Sequence, residues 1–336
     1  MKYVGGTLVS SEECFEGYLG FDKNIIMETG EGKAPEKTIC NGYIVPTFLN
    51  AHTHIGDTFV RKKNLNLPKS IEELVAPPDG LKFKLFKEAS NQEILEGMID
   101  SISEMVNVGV TYFCDFREGG LKGINLMKDA LKNARVNSLI FSRPNDLEYD
   151  KEEIRSLLKN SQGIGISSIS DWNYDKLKKM ASDAHKSGKL FALHASERIR
   201  ENIDLILDLK PDFLVHMIKA SKSDLESVYN AKIPIVICPR SNAYFGLKPN
   251  IQMMKKIGID ILLGTDNAML FSPNVLEEAR YLKENYNDFS DIELIKMITY
   301  LPRKALNLNI NILAVNSSSG FVVLDKEDLA LLYISR

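Results

Sequence analysis

The sequence predicts an α/β protein, a closed parallel (β/α)8 TIM barrel with a small β unit built from both chain termini, and three observations carry that reading. Eight strand-like runs alternate with amphipathic helical patterns through the middle of the chain. Both ends turn instead to short strands broken by glycine and charged turns. No glycine-rich phosphate loop follows the first inner strand, which disfavours an open doubly wound sheet.

Taken in order, residues 1–45 hold strand-like pieces at Tyr3–Val9, Gly17–Phe21 and Lys23–Met27 without helical period. The run Gly42–Leu49 is apolar and β-branched enough for a buried first barrel strand leading into His52 and His54. Residues 57–90 are too long for an ordinary strand-to-helix loop and read as a lid or substrate-shaping insertion at the barrel mouth. The next strands are expected at Thr111–Phe116, Ser138–Ser142, Gly163–Ile169, Leu190–His194, Phe213–His216, Ile233–Cys238 and Ile259–Gly264. Helical patterns run over Asn91–Val106, Tyr174–Ser187 and Pro273–Tyr286, with Asp171 and Ser272 as caps or near-caps. After Ala305 short strands return, Gly320–Leu324 being the clearest. The expected division is 1–45 and 306–336 as the two halves of the terminal β unit, with 46–305 as the barrel.

Composition narrows the function classes. A chain of 336 residues with 44% hydrophobic and 26% charged residues can bury a sizeable core. Its net charge of -3 gives no chain-wide attraction to nucleic acid or anionic membrane. No apolar run reaches the roughly 20 residues of a membrane helix, and Met1–Ser10 lacks the features of a secretory leader. Cys14, Cys40, Cys114 and Cys238 form no Cys-x-x-Cys pair; Cys114 and Cys238 fit small core positions. The expectation is a cytoplasmic protein acting on a small molecule, with homodimerisation left open.

In a barrel the chemistry sits at the carboxyl ends of the strands. His52 and His54 point the same way on an extended chain and can share a divalent cation. His194 closes strand five, with Glu197 three residues on; His216 closes strand six; and Gly264-Thr265-Asp266-Asn267 closes strand eight. Four of the five histidines thus end inner strands, while His185, mid-helix beside Lys186, fits a structural role. Their convergence with Asp266 on one rim predicts a shared metal site.

The set His52-x-His54, His194 with Glu197, His216 and Asp266 resembles the amidohydrolase superfamily, in particular its branch of cytosine, adenosine and S-adenosylhomocysteine deaminases and chlorohydrolases. Asn50-Ala51-His52-Thr53-His54, Cys238-Pro239-Arg240-Ser241-Asn242, Leu263-Gly264-Thr265-Asp266-Asn267 and Phe321-Val322-Val323-Leu324-Asp325 carry the resemblance in order, although Thr47 stands where many members have glycine. The resemblance implies a composite β-sandwich from the termini. The carboxylated lysine that bridges two metals in binuclear members has no counterpart in strand four, so it implies one ion, Zn²⁺ or Fe²⁺, on His52, His54, His194 and Asp266. A bound ion brings the pKa of its water from 15.7 toward about 7, and the resulting hydroxide would be the nucleophile. Asp266 would take the water's proton, His216 would orient the nucleophile, and Glu197 would shuttle a proton to the ring nitrogen and on to ammonia. The implied reaction is hydrolytic deamination of a purine, pyrimidine or pterin derivative. Hydrolysis of another C–N or a C–Cl bond is the alternative, and a non-catalytic barrel is a further one.

Five of the eleven arginines, Arg61, Arg117, Arg143, Arg198 and Arg240, lie just past inner strands. A planar guanidinium suits carboxylate or phosphate, which predicts an anionic group on the substrate, with Arg143 and Arg240 the leading contacts. Asn242 joins them as a substrate contact, and Trp172, Tyr244 and Phe245 could stack on a ring. The competing reading is that these arginines pair with Asp57, Asp115, Glu118 and Asp146.

Overall fold

A computed structural model describes residues 1–23, 25–317 and 320–335. Its strands, in chain order, are β1 (Lys2–Val9), β2 (Cys14–Asp22), β3 (Ile25–Glu31), β4 (Thr38–Pro46) and β5 (Phe48–His54). There follow β6 (Val110–Arg117), β7 (Asn137–Ser142), β8 (Gly163–Ile166), β9 (Leu190–Ala195) and β10 (Phe213–His216). The last five are β11 (Ile235–Ile237), β12 (Ile261–Leu263), β13 (Asp266–Asn267), β14 (Phe321–Leu324) and β15 (Leu331–Ile334). The chain divides into two compact units, one of Met1–Leu49, Met105–Thr111 and Asn274–Arg336, the other of Asn50–Glu104 and Tyr112–Pro273. Among the described residues no helix is long and apolar enough to cross a membrane.

In the first unit both termini build one six-stranded mixed sheet, ordered β15-β14-β4-β1-β2-β3. Alternation along the strands sends Val4, Leu8, Leu19, Phe21, Ile44, Phe321 and Val323 into one buried cluster with Ile26. The Phe21 and Phe321 rings meet edge-on at 5.0 Å, joining the two ends of the chain.

The run Gly42–Leu49 is not one strand, and this corrects the expectation. Residues through Pro46 pair with β1 and β14 in the terminal sheet, and the first barrel strand starts at Phe48. Apolar β-branched residues suit either sheet, so pattern alone misses the break. At the junction, the Thr47 carbonyl accepts a 2.7 Å hydrogen bond from the buried Arg303 guanidinium, and the Thr47 hydroxyl bonds that of Thr111 at 2.7 Å.

The second unit holds the barrel. Its strands follow the order β12-β11-β10-β9-β8-β7-β6-β5-β13, and because β12 and β13 belong to one short segment, that segment closes the cylinder. Gly264 N–H donates to Ile237 O and Thr265 N–H to His52 O. Glycine is required there, since a Cβ on residue 264 would lie 2.7–2.9 Å from His52 atoms.

Some boundaries move. Strand four stops at Ile166, ahead of a 3-10 turn at Ile169–Asp171, and strand seven spans only Ile235–Ile237. The helix caps are Asn173 and Asn274, which accept from Lys176 N and Leu276 N, rather than Asp171 and Ser272. A cap must sit directly before the first free helical N–H groups, and the two expected residues lie too far upstream. The insertion is structured: a 3-10 helix at Ile55–Lys63 and helices at Ile71–Leu74 and Leu81–Glu88.

Candidate metal centre

His52 and His54 alternate with Thr53 on β5, so both imidazoles face the barrel axis. Ligand atoms of His52, His194, His216 and Asp266 all lie within 4.8 Å of one another. His194 Nε2 is 3.2 Å from His52 Nε2 and 3.4 Å from His54 Nε2. Asp266 Oδ1 is 3.4 Å from His52 Nε2 and 3.6 Å from His54 Nε2. Donors each 2.0–2.1 Å from a tetrahedral ion stand about 3.3 Å apart, so these separations fit one small divalent cation.

The protonation chemistry fits as well. His54 Nδ1 lies 2.9 Å from Glu118 Oε1 and His194 Nδ1 lies 2.9 Å from the Ile166 carbonyl. Both acceptors hold the ring proton on Nδ1 and leave Nε2 free as a ligand. Burial, then the Lys82 ammonium, push His54 down to about 3. Burial and the neighbouring imidazoles push His194 well below its ordinary value, and burial takes His216 to about 4. Burial would raise Asp266, but the hydrogen bond from His52 and the surrounding imidazoles hold it well below the usual carboxylate range. Neutral imidazoles beside an ionised carboxylate are the state in which such groups bind metal.

His216 differs from His54 and His194. The Asn242 amide nitrogen donates to its Nδ1 at 3.2 Å, which leaves the ring proton on Nε2, 3.4 Å from Glu197 Oε1. Glu197 is raised well above the ordinary range, first by burial and then by the Asp266 charge. Asp266 turns its Oδ2 to Ser241, whose hydroxyl donates at 2.5 Å. Backbone strain collects here: Ser196, His216, Met217 and Asp266 have φ of 46°, 76°, 54° and 59°, conformations costing of order 1–3 kcal/mol each that the packed strand ends impose.

The arginines separate on inspection. Arg143 and Arg198 line the cavity at the cluster; Arg143 Nη2 is 3.4 Å from Glu118 Oε1, and Arg198 pairs with Asp171 at 2.8 Å. Arg117 is buried against Asp115 and Glu118, and Arg61 pairs with Glu104. Arg240 donates to the Ser272 carbonyl and lies over the Phe271 ring. Trp172 is buried with its indole N–H on Ser167, and the Tyr244 hydroxyl is on the Leu67 carbonyl. Neither they nor Arg240, Asn242 and Phe245 are among the residues lining this cavity.

Two cavity residues escape a reading of the sequence as ligands or contacts. Glu118 follows the end of β6, and Lys82 comes from the insertion; both line the cavity. Lys82 is 2% exposed, with Nζ 2.8 Å from Glu118, 3.1 Å from Asp57 and 3.0 Å from Asn267 Oδ1. Burial works against a charged Glu118, but Lys82, His54 and Arg117 together hold it well below the usual range. Position after a strand end is a signal that could have singled out Glu118. Lys82 has none, because its helix alternates lysines and apolar residues like a solvated surface segment.

A barrel with imidazoles and a carboxylate converging at its strand ends, beside a half-buried glutamate, defines a hydrolase of the metal-dependent barrel type. The chain belongs to the amidohydrolase family, whose sequence profile matches residues 43–334. It is 32% identical over 328 residues to the uncharacterized protein MJ0699 of Methanocaldococcus jannaschii, spanning 91% of this chain and 82% of that one. It is 26% identical over 333 residues to a 5-methylthioadenosine/S-adenosylhomocysteine deaminase of Caldicellulosiruptor saccharolyticus, spanning 86% and 73%. Its fold matches the crystal structure of an adenosine deaminase from Xanthomonas campestris with bound zinc at a TM-score of 0.74 and 15% identity, covering 97% of this chain and 85% of that one.

Proposed function

We propose that this chain hydrolytically deaminates an aminated heterocycle, a purine, pyrimidine or pterin derivative, using one divalent ion. The observation that carries the reading is the set of tetrahedral-scale separations among His52, His54, His194 and Asp266, with Glu197 beside them across His216. Those four side chains would hold Zn²⁺ or Fe²⁺. Such an ion supplies a more acidic water and polarises the reacting centre.

The protein's own groups then divide the proton work. Asp266, ionised and steadied by Ser241, takes a proton from the attacking water. Glu197, whose carboxyl is kept protonatable by burial, delivers its proton to the ring nitrogen, takes up the proton of the newly added hydroxyl as the carbonyl forms and passes it to the departing amine, and is then reset by the proton Asp266 had taken. Water and an amino-substituted ring give an oxo-substituted ring and ammonia. His216, with Asn242 on Nδ1, presents Nε2–H to the nucleophile and orients it. Arg143 and Arg198, at the cavity wall, suit an anionic group on the substrate. Arg240, Asn242 and Trp172 are better explained by the partners they already hold.

The test is a panel of amino-heterocycles, with and without a carboxylate or phosphate, given to protein loaded with zinc or iron(II) and assayed for ammonia. Ammonia release is expected; turnover with chloride or alkylamine release instead would move the reaction to the alternative leaving groups. One ion per chain is expected by elemental analysis. His194→Ala and Asp266→Ala should lose metal and activity together. Glu197→Gln should keep the metal while kcat falls by about 10²–10⁴.

A further inference from the structure

The cavity at the histidine cluster measures only about 60 Å³, below the roughly 300–1,000 Å³ of small-molecule sites. Part of its wall is Ile71, Val75, Ala76, Pro77, Lys82 and Phe83, all from the insertion after strand one. That segment walls the cavity, so what fastens it matters.

The fastening is Lys82. Its ammonium ties three strand ends together: Nζ donates to Asn267 Oδ1 at β13 and forms ion pairs with Glu118 after β6 and Asp57 after β5. Removing a charge from water is costly unless geometry and hydrogen bonding compensate, and this arrangement compensates only while the segment is seated. Withdrawing it would leave Asp57, itself 0% exposed, without its cation. Glu118 is the hub: the oxygen that meets Lys82 at 2.8 Å is the one His54 Nδ1 approaches at 2.9 Å. Its other oxygen meets Arg117 at 2.6 Å. The mechanism proposed above uses neither Lys82 nor Glu118.

We propose that Glu118 fixes His54 for metal binding and that Lys82 latches the insertion onto Glu118, so that seating of residues 64–90 and assembly of the metal site are one coupled event. Lys82 and Glu118 are positioning residues. The inference rests on the metal-site reading of the cluster. Coupling is reciprocal: if the seated segment favours the ion, the ion must favour the seated segment.

The experiment uses full-length metal-free protein titrated with zinc against a chromophoric chelator, and amide hydrogen exchange over residues 64–90 with and without zinc. Wild type is expected to bind zinc and to gain exchange protection over 64–90. Lys82→Met and Glu118→Gln are expected to bind zinc about 10–100-fold more weakly, the range typical of lost outer-shell partners. Lys82→Met should also lose the zinc-linked protection, and Lys82→Arg should restore part of both. Variants that bind zinc as tightly as wild type overturn the latch while leaving the metal site standing, and a rise in KM alone would place Lys82 against substrate instead. Should the variants fail to fold, the wild-type exchange decides: no zinc-linked change over 64–90 overturns the proposal. Wild type that binds no zinc sinks the metal reading and the latch together.

Discussion

Single side chains in this protein hold their charge state through neighbours placed by the fold, and Asp224 offers a case away from the metal cluster. Its carboxylate accepts two charge-assisted bonds from Arg200, at 2.7 and 2.8 Å, and completes the capping box of the helix Lys222–Asn230. The Arg200 hydrogen bonds bring Asp224 down to about 2. A depressed carboxylate stabilises the folded state above its unfolded pKa, near 3.8, and that contribution is lost as pH falls through about 2. Discounted for the exposed Arg200 partner, it is worth about 1 kcal/mol near neutrality. Asp224→Asn should therefore be less stable than wild type in urea melts at pH 7, with the gap closing as the pH is lowered from 4 toward 2. A gap independent of pH would assign the effect to helix capping alone.

At the scale of elements, the helices are set by side chains at their first turn. Asn173 caps the helix Tyr174–Lys186, whose buried face is Leu177, Met180, Ala181 and Ala184. Asn173→Ala should lower stability by about 1 kcal/mol and leave zinc binding unchanged, checked by denaturant midpoint and metal titration on the same protein. Gly264 is the counterpart among the strands. Gly264→Ala would force a methyl into the His52 backbone, so it should disturb the turn that brings Asp266 beside His52. The expected result is weakened zinc binding as well as a lower melting temperature. Normal zinc affinity in that variant would mean the eighth strand adjusts without moving Asp266.

Across the whole molecule, chain ends far apart in sequence complete one sheet. β14 pairs with β4 from Phe321↔Pro46 to Leu324↔Tyr43, and Phe321, Val322, Val323 and Leu324 are each at most 1% exposed. Four such side chains contribute roughly 6–12 kcal/mol, comparable to the roughly 5–15 kcal/mol net stability of a typical protein. A chain ending at Ser319 should lose that strand, leave β4 as a bare apolar edge and aggregate on expression. Recovery of a soluble truncated chain with a cooperative melt would show that β4 does not need this partner.

The sequence by itself determined the alternation that makes a barrel, the β character of both ends, and the His52, His54, His194, His216, Asp266 and Glu197 positions at strand ends. These are legible because period-two alternation and strand termini place side chains by local geometry. Tertiary structure alone decided where the apolar run 42–49 breaks, because either sheet satisfies the same residues. It decided which arginines face the cavity, since each of the five had acidic or carbonyl neighbours available, and three of them, held by such partners, do not line it. It also decided that Lys82, outwardly a surface lysine in a charged helix, is buried against Asp57, Glu118 and Asn267. Charge pairing across loops depends on where the loops are carried in space, and no periodicity along the chain encodes that.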